Sequence, residues 1–483
     1  MSVHLLPLRG GLRQGPPSQI YHPQVTQLTP ARPALTDGDP AGALPLETLR
    51  DLQAAFSSNP DYRLAQNAVT RNDLDDVALN HHVAFTDDHS FSVSLDDWGV
   101  TDQKQTGRCW LFAGLNLLRF AARRVLGVKE FEFSQNHLMF WDKIERANYF
   151  FEAILESADS DVDDRAVAFL LDQPLSDGGQ WNMFVNLVRK HGLVPKAFMP
   201  ETNSSSGSRR MNGVLRHKLR EGAQRLRDMH ARGAPRDDLR GVKEDYLAVV
   251  HRILSIHLGT PPRHFAWQWR DSSGEFHRTE TMTPQAFAAR FVDLPLDDYV
   301  CLVHDPRRSN PYGRTYTVQY LGNVVGGQRV IYLNIEMPLM KRIAQQTLEA
   351  GEPVWFGCDV GKQMRRDMGI MDRDLYDLAS VYGTSFEMDK AARLEYGETR
   401  MTHAMLFTGV DVLDGKPRRW RVENSWGTDP GQKGFFTMND SWFDEYMFEI
   451  AARREYLPPE LQAAVDLEPI VLPPWDPMGA LAQ

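Results

Sequence analysis

With 483 residues and 42% apolar side chains, the chain is long enough for two or three domains, or for one domain with large insertions. Its formal net charge of −10 argues against general affinity for nucleic acid. Its three scattered cysteines, Cys109, Cys301 and Cys358, are too few for a disulfide framework, so a reducing compartment is expected. No C-x-x-C pair suggests a zinc or redox site, and no apolar run approaches the length of a membrane span.

The N-terminal segment, residues 1–44, is rich in proline and is predicted to be a disordered extension. Residues 1–36 contain no Asp or Glu, as in an organelle transit peptide, but the prolines would interrupt the amphipathic helix that such a signal needs. Ordered structure is predicted to start at "LPLETLRDLQAAF", where apolar residues fall at helical intervals.

Residues 45–200 are predicted to be mainly helical. One helix is expected to begin near Cys109 and to stop at Gly127, and another to begin after Ser134 as its N-cap. The segment that starts at Asp177 opens on two glycines and then takes a helical pattern.

Residues 201–285 are predicted to be an inserted helical module. The stretch 208–243 carries eleven Lys or Arg against four Asp or Glu, and its helical pattern is broken at "RGAP". This charge is typical of a solvated helix face, and a subunit contact or an anionic partner are the alternatives.

Residues 286–460 contain short segments rich in β-branched and aromatic residues, which predicts strands. These segments are "YVCLVHD", "TYTVQYL", "RVIYLNI", "PVWFGCDV", "HAMLFTGVDV" and "RWRVENSW". Because helices come first and strands later, the pattern predicts an α+β fold with segregated layers. Residues 461–483 are a Pro-rich C-terminal arm.

Cys109 is a candidate nucleophile. A cysteine attacks as thiolate, and a position at the start of a helix would lower the pKa of its thiol through the partial positive charge of the free amides. Gln103, six residues upstream in a polar stretch, could supply an amide donor to an oxyanion hole. The alternative is a buried structural cysteine, which is the role that we predict for Cys301 and Cys358.

His403 is the candidate base, in a predicted β-hairpin with Asp414–Gly415 at the turn. A symmetric hairpin would place Asn424 opposite His403, where its amide oxygen could fix the imidazole tautomer. Pro417 makes the register near the turn uncertain, and Trp426 could cover the contact from water. Taken singly, the histidine and tryptophan could be core residues and the asparagine a turn residue.

Several long motifs carry a family resemblance. They are "DQKQTGRCWLFA", "DGGQW", "THAMLFTGV", "VENSWG", "RLAQNAVTRNDLDDVALN", "FEFSQNHLMFWDKIERANYFFE", "GEPVWFGCDVGK" and "WDPMGALAQ". From about residue 45 to the end, the chain resembles the bleomycin hydrolase or aminopeptidase C branch of the papain-like cysteine peptidases. The resemblance implies a two-layer fold with the cysteine in the helical part and His and Asn in the β-rich part. Thr106 stands where secreted papain-like enzymes usually carry a disulfide cysteine, which fits an intracellular branch.

The resemblance also implies site roles. Cys109 would be the nucleophile, His403 the base and acid, Asn424 the residue that orients it and Gln103 the oxyanion donor. Trp426 is also predicted to be a residue of the substrate site.

The glycines and the end of the chain are further implied parts of the site. Gly178 and Gly179 would let the substrate backbone approach the cleft, although a turn before a helix explains them equally well. The C-terminal arm would fill the cleft upstream of the scissile bond. The carboxylate of Gln483, or of Ala482 after trimming, would then pair with the free α-amine of a substrate.

The predicted protein is therefore a cytoplasmic cysteine aminopeptidase that acts on peptides and aminoacyl amides without metal or organic cofactor. The resemblance implies a homohexamer, with contacts from the helical insertion, and no membrane partner is expected. Nucleic acid binding by the basic stretch is a weak prediction. The alternative is a non-catalytic oligomer that binds nucleic acid or protein on the same fold.

Overall fold

A computed structural model describes residues 42–86, 88–95, 99–128 and 130–482. Nearly all of the predicted N-terminal extension therefore lies outside the described residues. The chain divides into two compact units, Met1–Asn67 and Ala68–Gln483. In the first unit, the helix predicted in "LPLETLRDLQAAF" is confirmed as α1, which the next helix follows directly.

The helices occupy mainly the first half of the chain, as predicted. The α-helices are α1 Leu46–Ser58, α2 Pro60–Val69, α3 Leu74–Ala78, α4 His81–Thr86, α5 Cys109–Leu126, α6 Gln135–Glu156, α7 Arg165–Asp172, α8 Trp181–His191, α9 Asn203–Ser206, α10 Arg209–Ala231, α11 Arg236–Leu258, α12 Pro284–Phe291, α13 Met337–Glu349, α14 Leu378–Tyr382, α15 Lys390–Glu395, α16 Asp440–Tyr446 and α17 Pro459–Ala464. Among the described residues, no helix has the length and apolar character needed to cross a bilayer.

The strands lie mainly in the second half, and all six segments predicted as strands contain one. The strands are β1 Val93–Ser94, β2 Gln268–Arg270, β3 Phe276–Arg278, β4 Tyr299–Val303, β5 Thr315–Val318, β6 Tyr332–Asn334, β7 Val354–Cys358, β8 Met364–Arg365, β9 Ile370–Met371, β10 His403–Leu413, β11 Lys416–Glu423, β12 Phe435–Asn439, β13 Met447–Arg453 and β14 Ile470–Leu472. Twelve of them form one sheet in the order β14-β5-β6-β4-β13-β7-β10-β11-β12-β9-β8, with β1 against β10. The predicted α+β class is confirmed.

Helix ends follow the predicted signals. Helix α5 ends at Gly127, whose φ of 60° is in the left-handed region that glycine adopts without strain. The hydroxyl of Ser134 accepts a hydrogen bond from the backbone N–H of His137 and so caps α6. The charged stretch of the insertion forms α10 and α11, and the break between them includes "RGAP".

Strand β10 lies between two hydrophobic cores. The first core is built mainly on α5, α6, α8 and the insertion, and it includes Cys109. The second lies around β7, β10, β11 and β13 with α13 and α16. Because side chains alternate along a strand, Ala404 and Leu406 point to the first core and Met405 and Phe407 to the second. This alternation fixes which face of β10 meets the helix that carries Cys109.

The hairpin of β10 and β11 turns at Asp414–Gly415, as predicted, with φ of 51° and 74°. Its register differs from the prediction. Leu406 pairs with Glu423, so Asn424 lies just beyond the end of β11 and is not directly opposite His403. The reason is that the two-residue turn centres the hairpin between residues 414 and 415, which displaces the pairing by two residues. A register shift lies beside Pro417, where irregularity was predicted.

Candidate functional site

Cys109 is the first residue of α5, and its side chain is 3% exposed. The backbone N–H groups of Ala404 and Trp110 lie near enough to its thiol to lower its pKa. Ala404 follows His403 directly at the start of β10, so the nearness of its backbone to Cys109 places the first residue of α5 beside the strand that begins with His403.

Burial governs the protonation of both groups. It raises the pKa of the Cys109 thiol to about 11, and the backbone amides of Ala404 and Trp110 lower that pKa by less. Burial also lowers the pKa of His403 to about 4, against the raising effect of its hydrogen bond to Asn424. The direction predicted for the cysteine pKa is therefore wrong, because burial raises it by more than the backbone amides at the start of the helix lower it.

The imidazole tautomer follows from its neighbours. Asn424 Oδ1 lies 2.9 Å from His403 Nε2, and it also accepts the backbone N–H of Ser425 at 2.7 Å. That atom is therefore an acceptor, so Nε2 of His403 carries the hydrogen and Nδ1 of the neutral ring has the free lone pair. The Trp426 ring covers this contact, with its centroid 4.9 Å from that of His403.

Gln103 is hydrogen-bonded to Ser425, the residue that follows Asn424. Its backbone N–H donates to the carbonyl oxygen of Ser425 at 2.8 Å, and the Ser425 hydroxyl donates to Gln103 Oε1 at 2.7 Å. Its side-chain nitrogen donates to the Thr106 carbonyl at 2.5 Å. One N–H of the amide thus stays available for an oxyanion. The serine was not singled out from the sequence, because nothing near it in the chain points to Gln103.

Gly178 and Gly179 both lie where a side chain would not fit. A Cβ on Gly179 would overlap the indole of Trp110, the residue after Cys109. A Cβ on Gly178 would overlap the carbonyl oxygen of Leu481, near the end of the chain. The glycine pair therefore permits two close approaches, of Trp110 to Gly179 and of the C-terminal arm to Gly178.

The C-terminal arm ends in a 3₁₀ turn, Pro477–Ala482. The Ser176 hydroxyl donates a hydrogen bond to the Ala482 carbonyl oxygen at 2.6 Å. A cavity of about 80 Å³ borders Ala482 and is also lined by Arg146 and Tyr149. Gln483, the other predicted residue of the arm, lies outside the described residues.

Asp177 is a residue whose role the sequence did not reveal. Its carboxylate accepts hydrogen bonds from Lys143 Nζ at 2.7 Å and from Asn212 Nδ2 at 2.8 Å, and its carbonyl accepts Trp110 Nε1 at 2.7 Å. Burial raises the pKa of Asp177, but the Lys143 ammonium and the hydrogen bonds from Ser208 and Asn212 together lower it well below its ordinary value. The residue thus joins α6, α10 and the start of α5 directly before the glycine pair.

The insertion also holds the nucleophile loop, residues 103–108. Arg108 is buried and pairs bidentately with Glu201, with N–O distances of 3.0 and 2.8 Å. The backbone N–H of Gln105 donates to the Ser206 carbonyl at 3.0 Å. Residues at the start of the insertion therefore position the loop that precedes Cys109.

All three cysteines are free and buried. Burial raises the pKa of the Cys301 and Cys358 thiols well above the ordinary value. Cys358 is the ladder partner of His403, and the Cys301 thiol donates to Asn182 Oδ1 at 3.1 Å.

Potential metal ligands lie elsewhere. Within the described residues, one group of metal-ligand side chains lies close enough together to hold an ion: Asp271, Glu275 and His277, at the β2–β3 hairpin. A 2.8 Å hydrogen bond between His277 and Asp271 accounts for their approach.

The chain is similar to known proteins in both sequence and structure. A model of the Peptidase C1-like family matches residues 43–479. The chain is 44% identical to bleomycin hydrolase of Gallus gallus over 444 residues, which is 89% of this chain and 98% of that protein. It is 44% identical to aminopeptidase C of Streptococcus thermophilus over 432 residues, 89% of this chain and 97% of the relative. The crystal structure of PepW from Lactobacillus rhamnosis HN001 superposes with a TM-score of 0.89 at 44% identity, over 91% of this chain and 99% of PepW.

Proposed function

Because the chain belongs to the Peptidase C1-like family, we propose that it is a cysteine aminopeptidase that removes N-terminal residues from peptides and aminoacyl amides. The family and enzyme class expected from the sequence are confirmed by the family match and by the relatives named bleomycin hydrolase and aminopeptidase C. The observation that carries the exopeptidase proposal is the contact of Leu481 with Gly178. A cleft that holds the chain's own end has little room for substrate residues upstream of the scissile bond.

In the proposed mechanism, the Cys109 thiol gives its proton to Nδ1 of His403 as the sulfur attacks the carbonyl carbon. This transfer leaves the net charge of the two buried groups unchanged, so no net charge has to be buried. The oxyanion would meet the available N–H of Gln103 and the backbone N–H of Cys109. The imidazolium then protonates the leaving amine, and a thioester remains. Water activated by His403 hydrolyses it and restores the thiol.

Substrate selection in this proposal depends on charge and space. The terminal carboxylate of the chain, on Gln483 or on Ala482 after trimming, would attract the protonated α-amine of a substrate. An N-acetyl group removes that positive charge and needs the volume that the arm fills. Amides of the bleomycin type are proposed substrates on the basis of the relatives' names.

A pair of fluorogenic substrates tests the proposal. We expect the protein to hydrolyse an aminoacyl coumarylamide with a free amine and to reject its N-acetylated counterpart. A variant that lacks residues 479–483 should hydrolyse both. An epoxide inhibitor should label Cys109. If Cys109 is not labelled and neither substrate is hydrolysed, the proposed enzymatic activity is contradicted. If the truncated variant still rejects the acetylated substrate, the proposed role of the arm is contradicted.

We further propose a cytoplasmic homohexamer, on the basis of the family resemblance, with α10 and α11 in the subunit contacts. Light scattering measures the mass of the assembly. A monomer at micromolar concentration would contradict the hexamer.

Binding of nucleic acid to residues 208–243 stays a prediction. Two basic side chains of this stretch already donate to backbone carbonyls of the protein: Arg220 to Leu171 at 2.7 Å and Arg227 to Ser157 at 3.1 Å. These contacts favour a role of the charge in docking α10. An electrophoretic assay with DNA at low salt would dismiss the prediction if no shift is seen.

A further inference from the structure

A buried ion pair holds the C-terminal arm just before its final turn, next to the cation–π contact of Arg165 with the Trp475 ring at 3.7 Å. Arg307 donates from Nη1 to Asp476 Oδ2 at 3.1 Å and from Nη2 to Asp476 Oδ1 at 2.8 Å. The side chains of Arg307 and Asp476 are only 10% and 8% exposed. A bidentate pair in such a dehydrated place is strong and specific in geometry.

The guanidinium of Arg307 is oriented without help from the arm. Its Nε donates to Asp305 Oδ1 at 3.0 Å and its Nη2 to Asp305 Oδ2 at 2.6 Å. Asp305 is itself held, because its other contacts include Asn310 Nδ2 at 2.8 Å and a hydrogen bond from its backbone N–H to Asn334 Oδ1 at 2.9 Å. Residues outside the arm therefore already orient the guanidinium of Arg307 toward Asp476.

Asp476 also begins the turn that enters the cleft. Its Oδ1 accepts the backbone N–H of Met478 at 2.9 Å, and its carbonyl accepts that of Gly479 at 3.0 Å. Six residues at about 2.0 Å each separate Asp476 from Ala482, so the clamp lies about 12 Å from the end of the turn. A slip of one residue at the clamp would displace the chain end by about 2 Å, which is enough to misplace a charge against a substrate amine.

Apolar contacts also hold the turn, since Met478 and Leu481 are buried. Burial of such side chains attracts the arm to the cleft, but the attraction has no preferred direction. The ion pair does, because two N–H groups must meet two oxygens. We propose that Arg307 is a specificity-determining positioning residue: by clamping Asp476, it fixes the register of the C-terminal arm and keeps the cleft closed to peptides that lack a free amine. This inference rests on the proposed function of the arm.

The test compares hydrolysis of a free-amine coumarylamide and its N-acetylated counterpart by the full-length protein and its variants. In Arg307→Met the guanidinium is lost. In Asp476→Asn the charge is lost, but the amide oxygen can still accept the Met478 N–H. We expect both to gain about 10- to 100-fold in kcat/KM on the acetylated substrate. On the free-amine substrate we expect KM to rise more than kcat falls. Arg307→Lys should lie between these variants and the wild type, because it restores the charge without the guanidinium.

A matched control and a truncation separate the outcomes. Arg454→Met breaks another Arg–Asp pair of the same region, with Asp466 at 2.9 Å, and should leave selectivity unchanged. If the variant lacking residues 479–483 accepts the acetylated substrate while both clamp variants keep wild-type selectivity, the inference is overturned and the proposed function stands. If the truncated variant also rejects it, the role of the arm fails and the clamp with it. A gain of activity on the acetylated substrate cannot come from misfolding. Equal epoxide labelling of Cys109 in the variants and the wild type checks that the active site is intact.

Discussion

The nucleophile loop directly precedes Cys109 and the C-terminal arm lies against Gly178, and the two are held differently. Contacts to two separate parts of the chain hold the loop: Gln103 bonds Ser425, and Gln105 and Arg108 bond Ser206 and Glu201 at the start of the insertion. The arm leaves strand β14 and then depends on fewer contacts, which include the Arg307–Asp476 ion pair, the Arg165 guanidinium over the Trp475 ring and the hydrogen bond from Ser176 to Ala482. We expect a loop that is held from two sides to tolerate single changes, and substrate selection by an arm with few anchors to be sensitive to the loss of one.

The largest loss of activity is expected from removal of the Cys109 thiol, which no contact of the loop or the arm can replace. Cys109→Ala should reduce turnover by about 10⁴-fold or more, in the full-length and truncated proteins alike, because no thioester can form. Turnover of both coumarylamides measures it. Cys301→Ala, which removes a buried thiol in strand β4, is the matched control and should stay active. Residual activity near the wild-type level in Cys109→Ala would refute the nucleophile.

The next largest effect concerns the nucleophile loop. Gln103→Ala should lower kcat by about 10²- to 10³-fold with little change in KM, because it removes a donor that acts in the transition state. Ser425→Ala should cost only about 3- to 10-fold, since it loosens the orientation of the amide without removing it. Gln105→Ala, whose side chain is exposed, is the control. A kcat of wild-type size in Gln103→Ala would show that the oxyanion has another donor.

Substitutions of Asp177 test how much its contacts stabilise the region of the loop and the glycine pair. Asp177→Ala leaves the Lys143 ammonium buried without its carboxylate and should destabilise the protein by about 3–5 kcal/mol. Asp177→Asn keeps an acceptor and should cost less. Urea unfolding measures both, with the exposed Asp172→Asn as control. Equal stability of Asp177→Ala and wild type would mean that these contacts contribute nothing.

Glu449 gives the opposite case, a buried acid in β13 that pairs with no cation among the described residues. Burial raises its pKa to about 8, and a contact with the Cys301 thiol lowers it by less. In the unfolded chain the side chain of Glu449 ionises at about pH 4.3. Between that pH and about pH 8, the unfolded chain therefore binds fewer protons than the folded protein. Stability should therefore fall as pH rises through this window, by up to about 1.4 kcal/mol per pH unit.

Glu449→Gln should remove this pH dependence and raise the urea midpoint at pH 7.5 more than at pH 5.5. The exposed Glu349→Gln serves as the control. An unchanged pH slope in Glu449→Gln would show that the carboxyl is ionised in the folded protein.

By itself, the sequence was enough for the type of many main elements, although strands β12 and β13 and helix α13 were not predicted, and for the choice of candidate catalytic residues. Helical spacing after Cys109, the cap at Ser134 and the Asp414–Gly415 turn all depend on neighbours in the chain, and each is found where predicted. Residue chemistry and long motifs also pointed to Cys109 and His403 before any geometry was known.

Only the tertiary structure decided how these pieces act together. The pKa of Cys109 depends on everything packed around it, and burial reversed the direction that its helix position suggested. Arg307 and Asp476 lie 169 residues apart, so no local pattern could reveal their pairing. Periodicity records which face of an element is buried, but the partner of a buried polar group is set by the chain path, which brings distant residues within hydrogen-bond distance.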